Sequence, residues 1–534
     1  MSASSSEDRT PSRNADVCVV GAGPAGALVA AKLSAAGHDV VVLDAGPRFD
    51  PDEHEQRMET HLRPGKTEPL WGMGGERDDY STSGEQPYPL NAARVKGIGG
   101  STLHWQGMVM RMHEQDFRLD SELGVADDWP ISYDDLRPYY AAAEEAFSVA
   151  GASDNPFAPS REQPHPLPVF PPSYSDSLFA EACEEVGITT HSVPNARNSE
   201  PTDDASACVG YGTCKPVCPS GAKYDATRHI DAAEANGARV LDQAPVQRLE
   251  HDADGETVTA AVYVTPDGTD HRQTADEFVL ATGGVETPRL LLLSASEQYP
   301  DGLANSSGAV GRYFMDHLFA GVGGRLDEPT RQKHIGFNTT ESHQFYDRED
   351  DSRSAIKLEF LNYAGPAPVD IALGAEEFGD ALLSRIREEY GTHIAMGALV
   401  EQYPHPENCI RLDPERTDDH GNPIPDVVWS LDDRTKRTIR RANEIQRSVL
   451  ESLGADIDWV VGPDNTGPAY HHMGTTRMGT DPSASVVSPD CRTHDLSNLS
   501  IAGSSTFVTG GAMNPTLTLA ALSLKAADAV ASRL

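Results

Sequence analysis

The sequence predicts an α/β protein of two units: a discontinuous Rossmann-like domain around a parallel sheet, and a second, sheet-based domain. Three observations predict it. Residues 15–46 read as strand, glycine-rich turn, helix and strand, ending in an acid. Residues 277–294, EFVLATGGVETPRLLLLS, read as a buried strand, a tight Gly283-Gly284 turn and a helix. Between residues 319 and 465, strand-like runs such as 393–400 and 425–429 predict a separate sheet.

The first segment, ADVCVVGAGPAGALVAAKLSAAGHDVVVLDAG, holds Gly21, Gly23 and Gly26 in G-x-G-x-x-G spacing, with Asp44 closing the second strand. Gly21 permits the tight turn, and Gly23 lets the backbone approach a pyrophosphate on the helix N-terminus. Asp44 stands where an acid accepts from ribose hydroxyls. The pieces of this domain are expected at residues 15–115, 220–318 and 466–534, with lid elements and a cysteine loop at 116–219 and the second domain at 319–465. Residues 1–14 read as a polar, disordered tail. The Pro-rich stretch 154–173 reads as an irregular but ordered connection. A helix is expected over 434–453, with Ile439, Ala442, Ile445, Val449 and Leu450 on one side and Gly454 at its end.

At 534 residues the chain can bury a large core. Its net charge of −39, with 82 acidic against 43 basic residues, makes nucleic acid an unsuitable partner. Such self-repulsion is relieved in molar salt, where the screening length is about 3 Å; the balance is that of a halophile protein. One basic cluster stands out on the 434–453 helix: Arg434, Lys436, Arg437, Arg440, Arg441 and Arg447. It reads as a solvated face paired with carboxylates such as Asp432 and Asp433, with docking of an acidic partner as the other reading. No apolar run is long enough to span a membrane, and the start MSASSSEDRTPSRNADV lacks an apolar signal core.

Three of the seven cysteines, Cys208, Cys214 and Cys218, lie within CVGYGTCKPVCP. Thiolates this close, set among glycines and prolines, suit an iron–sulfur cluster. A zinc site of these three with His229, or plain structural thiols, are the other readings. The remaining four cysteines are scattered, which argues against a disulfide framework.

Further motifs are KGIGGSTLHWQGMVMR (residues 96–111), GRYFMDH (311–317), HHMGTT (471–476) and GAMNPT (511–516). Together with the fingerprint they resemble the glucose–methanol–choline (GMC) family of FAD oxidoreductases over nearly the whole chain. Within it the chain is most similar to pyranose oxidases and to the flavin subunits of bacterial dye-linked sugar dehydrogenases.

The resemblance implies FAD held by Gly21, Gly23, Ala25, Gly26, Asp44, Gly99, Gly100, Ser101, His104, Trp105, Val246, Ala281, Gly503, Asn514, Pro515 and Thr516. His471, in H-x-x-G-T, takes the place of the catalytic base. Asn514 takes that of the residue hydrogen-bonded to the substrate oxygen, and its place before Pro515 also suits a helix cap. His104, before Trp105, matches a histidine joined covalently to flavin in pyranose oxidase. C-x5-C-x3-C-P matches the dehydrogenase subunits, where three cysteines hold a three-iron, four-sulfur cluster.

The expected activity is oxidation of a hydroxyl of a sugar, polyol or sugar acid. Electrons would leave through the cluster to an external acceptor, with a small subunit and a cytochrome-type acceptor as partners. An oxidase using O2 and a non-catalytic electron-relay subunit are the alternatives. Residence is expected in the cytoplasm, or outside it through a partner subunit that carries the export signal.

Overall fold

A computed structural model of the chain describes residues 10–11, 14–63, 70–203, 205–332 and 338–534. Most of the expected N-terminal tail lies outside them. No described helix is long and apolar enough to cross a membrane.

Ala15–Val20 is an almost wholly buried apolar strand. It pairs in parallel with Val40–Leu43 on one side and Ala275–Leu280 on the other. Arg239–Leu241 and Leu499–Ile501 complete a five-stranded sheet. All four pairings are parallel. Strands buried on both faces need unbroken apolar runs rather than alternation, and VCVV, VVVL and FVL supply them. Helices Pro24–Ala35 and Thr516–Ala531 pack on this sheet and on each other. Segments more than 400 residues apart in sequence therefore build one domain.

The second unit is a six-stranded antiparallel sheet in which Leu318–Arg325, His393–Val400 and Ile356–Phe360 are central. Helix Asp433–Ser452 lies across it. Ile439, Val449 and Leu450 are fully buried there, each contributing about 1.5–3 kcal/mol of apolar burial. Asp432 caps the helix by accepting from the Thr435 N–H at 2.6 Å.

Two expectations need correction. The predicted strand at 425–429 is not in this sheet. Pro423–Val428 pairs with Cys409–Thr417 and Ser81–Ser83 in a separate three-stranded sheet, across a register shift. The basic helix pairs with Asp351, Glu85 and Glu444 rather than with Asp432 and Asp433, because Asp432 is committed to the cap.

Candidate active site

The two units enclose a cavity of about 730 Å³. Gly21, Gly23 and Asp44 line it from the first unit, together with Ser101, His104, Trp105, Val246 and Ala281. Phe319, Glu359 and Leu399 of the six-stranded sheet form another wall. His471, Asn514, Pro515 and Thr516 line it as well. Three helices start at the cavity: Pro24–Ala35, Gly283–Leu293 and Thr516–Ala531. Their N-termini favour an anionic occupant.

The glycine turn shows what that occupant needs. A Cβ on Gly26 would lie 1.9 Å from the Gly21 carbonyl oxygen, so helix and turn are in direct contact. A Cβ on Gly23 would meet nothing nearer than Gly100 at 3.9 Å. The space beside Gly23 is open to the cavity, as a pyrophosphate requires. Asp44 accepts from the N–H groups of Ala22 at 2.8 Å and Gly46 at 2.9 Å. It braces the turn and still lines the cavity. Ala25, Gly26, Gly99 and Gly503 stand behind the wall: Gly99 donates to the Ala22 carbonyl at 3.0 Å, and Gly503 approaches Ala25. These residues fit a dinucleotide.

On the cavity wall His471 and Asn514, 43 residues apart, face each other with Nε2 and Nδ2 3.4 Å apart. Burial, then the neighbouring His317 and Lys357, hold the His471 imidazole well below its ordinary pKa. It is neutral at pH 7 and can take a proton. Its Nδ1 is 2.8 Å from Nδ1 of His317, and its backbone N–H donates to Asp316 at 2.8 Å. Asp316 also accepts from the Tyr88 hydroxyl.

Asn514 is not a helix cap. The helix begins at Thr516 with Pro515 as N-cap and no side-chain cap bond. Instead the Asn514 carbonyl oxygen accepts from the buried Lys357 at 2.7 Å. Lys357 pairs with Glu359 at 2.7 Å and Glu341 at 3.5 Å. His472 points elsewhere: its ring packs on Tyr88 and Phe314 and its backbone presses on Gly284.

Sequence reasoning missed Lys357, which carries no motif. His317 closes GRYFMDH, a motif whose spacing assigns the ring no role. A lysine two residues from a glutamate in a strand otherwise built of Ile, Leu and Phe was the available signal.

Burial, then Lys215 and Lys223, push His104 down to about 3. It lines the cavity as a neutral imidazole. Lys223 joins this segment to the cysteine loop. Its Nζ donates to the carbonyls of Leu103 at 3.0 Å, Trp105 at 2.8 Å and Cys214 at 2.9 Å. Lys215, next to Cys214, lines the cavity and lies over Tyr470.

Cys208, Cys214 and Cys218 border one small pocket with Arg197, whose guanidinium is 3.9 Å from the Cys208 sulfur. Burial raises the Cys214 thiol, and Arg197 and Lys223 oppose that. The donor set, three thiols beside two cations, fits an anionic cluster. It does not fit zinc. Zn–S bonds of ~2.3 Å need sulfurs within about 4 Å of one another. Among the described residues the one group of three candidate ligands within 4.8 Å is His191, Glu341 and His343. His229, the expected fourth zinc ligand, is bonded to the Tyr224 hydroxyl at 2.9 Å.

A dinucleotide cradle and a neutral imidazole–amide pair thus share one cavity, an arrangement that suits a dinucleotide-dependent oxidoreductase. The chain belongs to the GMC oxidoreductase family, whose members bind FAD: its N-terminal model matches residues 22–319 and its C-terminal model residues 404–523. The chain is 34% identical to the fructose dehydrogenase large subunit of Gluconobacter japonicus, covering 97% of this chain and 98% of that one. It is 31% identical to the 2-methyl-1,2-propanediol dehydrogenase of Mycolicibacterium austroafricanum, covering 98% and 96%. The gluconate 2-dehydrogenase flavoprotein of Pantoea cypripedii is 27% identical, covering 97% and 94%. In fold the chain is similar to pyridoxine 4-oxidase from Mesorbium loti, with a TM-score of 0.65, 20% identity and coverage of 97% and 99%.

Proposed function

We propose that this chain is an FAD-dependent dehydrogenase that oxidises a hydroxyl of a sugar, polyol or sugar acid and passes electrons to an external acceptor. The observation that carries the reading is the His471–Asn514 pair on the wall of the dinucleotide cavity. Bound FAD supplies the hydride acceptor. His471 Nε2 takes the hydroxyl proton, and the Asn514 amide donates to the reacting oxygen. Glu359 and Tyr363, the latter hydrogen-bonded to Gln106, offer acceptors and a hydroxyl for the remaining substrate hydroxyls. These polar groups suit a polyhydroxylated substrate, in keeping with relatives that act on fructose and a propanediol.

His104 would attach the flavin covalently; its neutral imidazole on the cavity wall supports this. Cys208, Cys214 and Cys218 would hold an iron–sulfur cluster of three irons, which supplies a one-electron exit. The loop is exposed at Val209 (71%) and Tyr211 (54%), so a partner subunit or cytochrome-type acceptor can approach it. The relatives named as a large subunit and a flavoprotein support such an assembly. The charge of −39 supports a halophile cytoplasm.

The test is anaerobic mixing of the purified protein with fructose, gluconate and simple diols. One of them should bleach the flavin absorbance without O2 and restore no colour until an acceptor is added. A preparation with full flavin that none of these reduces would sink the substrate class. Fast recolouring by O2 alone would turn the reading into an oxidase.

A further inference from the structure

The side chains around His471 form a single hydrogen-bonded chain whose two ends accept no ambiguity. Lys357 Nζ carries only donors. It lies 2.7 Å from one atom of the Asn514 amide, which must therefore be the oxygen. Glu359 and Glu341 hold the ammonium in place on a fully buried strand. With its oxygen committed, Asn514 turns its NH2 to His471 Nε2. A donor faces that nitrogen, so the nitrogen must offer a lone pair.

The other end is the backbone carbonyl of Gly510, which can only accept. It lies 3.3 Å from His317 Nε2, so that nitrogen carries the hydrogen. Burial keeps His317 neutral, with a pKa pushed down to about 4. Its Nδ1 then has the lone pair, and His471 Nδ1, 2.8 Å away, must donate to it. Read from either end, the chain demands the same state of the ring. The opposite tautomer would set two lone pairs face to face at the histidine–histidine contact and two N–H groups face to face at Asn514. Consecutive residues divide the grip: Asp316 holds the His471 backbone N–H while His317 holds the ring.

We infer that Lys357 and His317 are positioning residues that hold His471 in the tautomer with hydrogen on Nδ1 and a free lone pair on Nε2, facing Asn514 and the cavity. The inference rests on the reading of His471 as the base, and extends it to the residues that keep it basic at the right nitrogen. It also explains a lysine buried beside a catalytic pair that has no use for a cation.

The experiment is nitrogen NMR of the full-length protein labelled with 15N-histidine, with His471→Ala used to assign the His471 resonances. The expected spectrum at neutral pH shows a protonated Nδ1 and a bare Nε2. A protonated Nε2, or a doubly protonated ring, overturns the inference. The second arm is Lys357→Gln, whose amide can face Asn514 with either of its atoms. With parental flavin content it should lower kcat by about tenfold, short of the loss of the base itself, with much less change in KM, and its spectrum should show mixed tautomers. Unchanged kcat and an unchanged spectrum would remove Lys357 from the assignment. If Lys357→Gln does not fold, the parental spectrum alone decides. Parental turnover in His471→Ala would instead sink the catalytic reading while leaving the tautomer measurable.

Discussion

The pair at His471 and the loop at Cys208–Cys218 border neighbouring spaces but are finished to different degrees. At His471 the side chains satisfy one another: lysine, amide and two imidazoles form a closed chain at 2.7–3.4 Å. At the loop the Cys208 sulfur lies 3.9 Å from the Arg197 guanidinium and the Cys218 sulfur 3.7 Å from the Ser220 hydroxyl. On the proposed function, hydride removal belongs to the first region and electron exit to the second, and the two half-reactions should separate by mutation.

The largest expected break is His471→Ala. Turnover should fall about 10²-fold or more with flavin still bound, while His472→Ala, a packing residue against Tyr88 and Phe314, should lose much less. Equal losses would remove the distinction between the two histidines. At the other region, Cys208→Ser, Cys214→Ser or Cys218→Ser should each abolish a low-temperature paramagnetic signal and turnover with a one-electron protein acceptor. Substrate should still bleach the flavin in all three. Zinc in place of iron, or normal reduction of the protein acceptor, would refute the exit route.

Between the regions stands His104. Acid precipitation should leave yellow flavin with the protein, and His104→Ala should release it. Free flavin in the parental supernatant rules out the bond.

A smaller, global effect follows from burial around both sites. His104 and His472 are pushed down to about 3, and His165, His191, His229 and His317 to about 4. Unfolded histidines take up protons near ~6.5, so between about pH 6.5 and 4 the unfolded state binds more and stability falls as pH falls. Buried Asp316, raised to about 7, and Asp176, raised to about 6, act the other way. The lowered histidines, His343 and His471 among them, outnumber the raised carboxylates, so the thermal midpoint should fall from pH 7 to pH 5. An unchanged or higher midpoint at pH 5 contradicts this balance. Salt acts on the whole surface: the midpoint should rise from low to molar KCl as repulsion among 82 acidic residues is screened. A midpoint that does not move with KCl contradicts the halophile assignment.

Much of the dinucleotide domain was legible because its signals are local. VCVV, Gly21, Gly23, Gly26 and Asp44 lie within one βαβ turn, where spacing alone dictates geometry. His471 and the three cysteines sit in short frames of the same kind. What spacing could not reach was anything assembled across the chain. Asn514 was legible as a substrate-facing amide whose place before Pro515 also suited a cap; only the tertiary fold brings Lys357, 157 residues away, to claim its oxygen. His317 lies 154 residues from the ring it holds. The strand at Pro423–Val428 was legible as a strand, but its sheet was not, because pairing with Ser81–Ser83 is a long-range choice. The sequence by itself determined the fold class, the cofactor turn and which residue types could do chemistry. The tertiary structure decided which of their atoms donate and which accept, because a buried polar atom takes its role from the partner that packing brings to it.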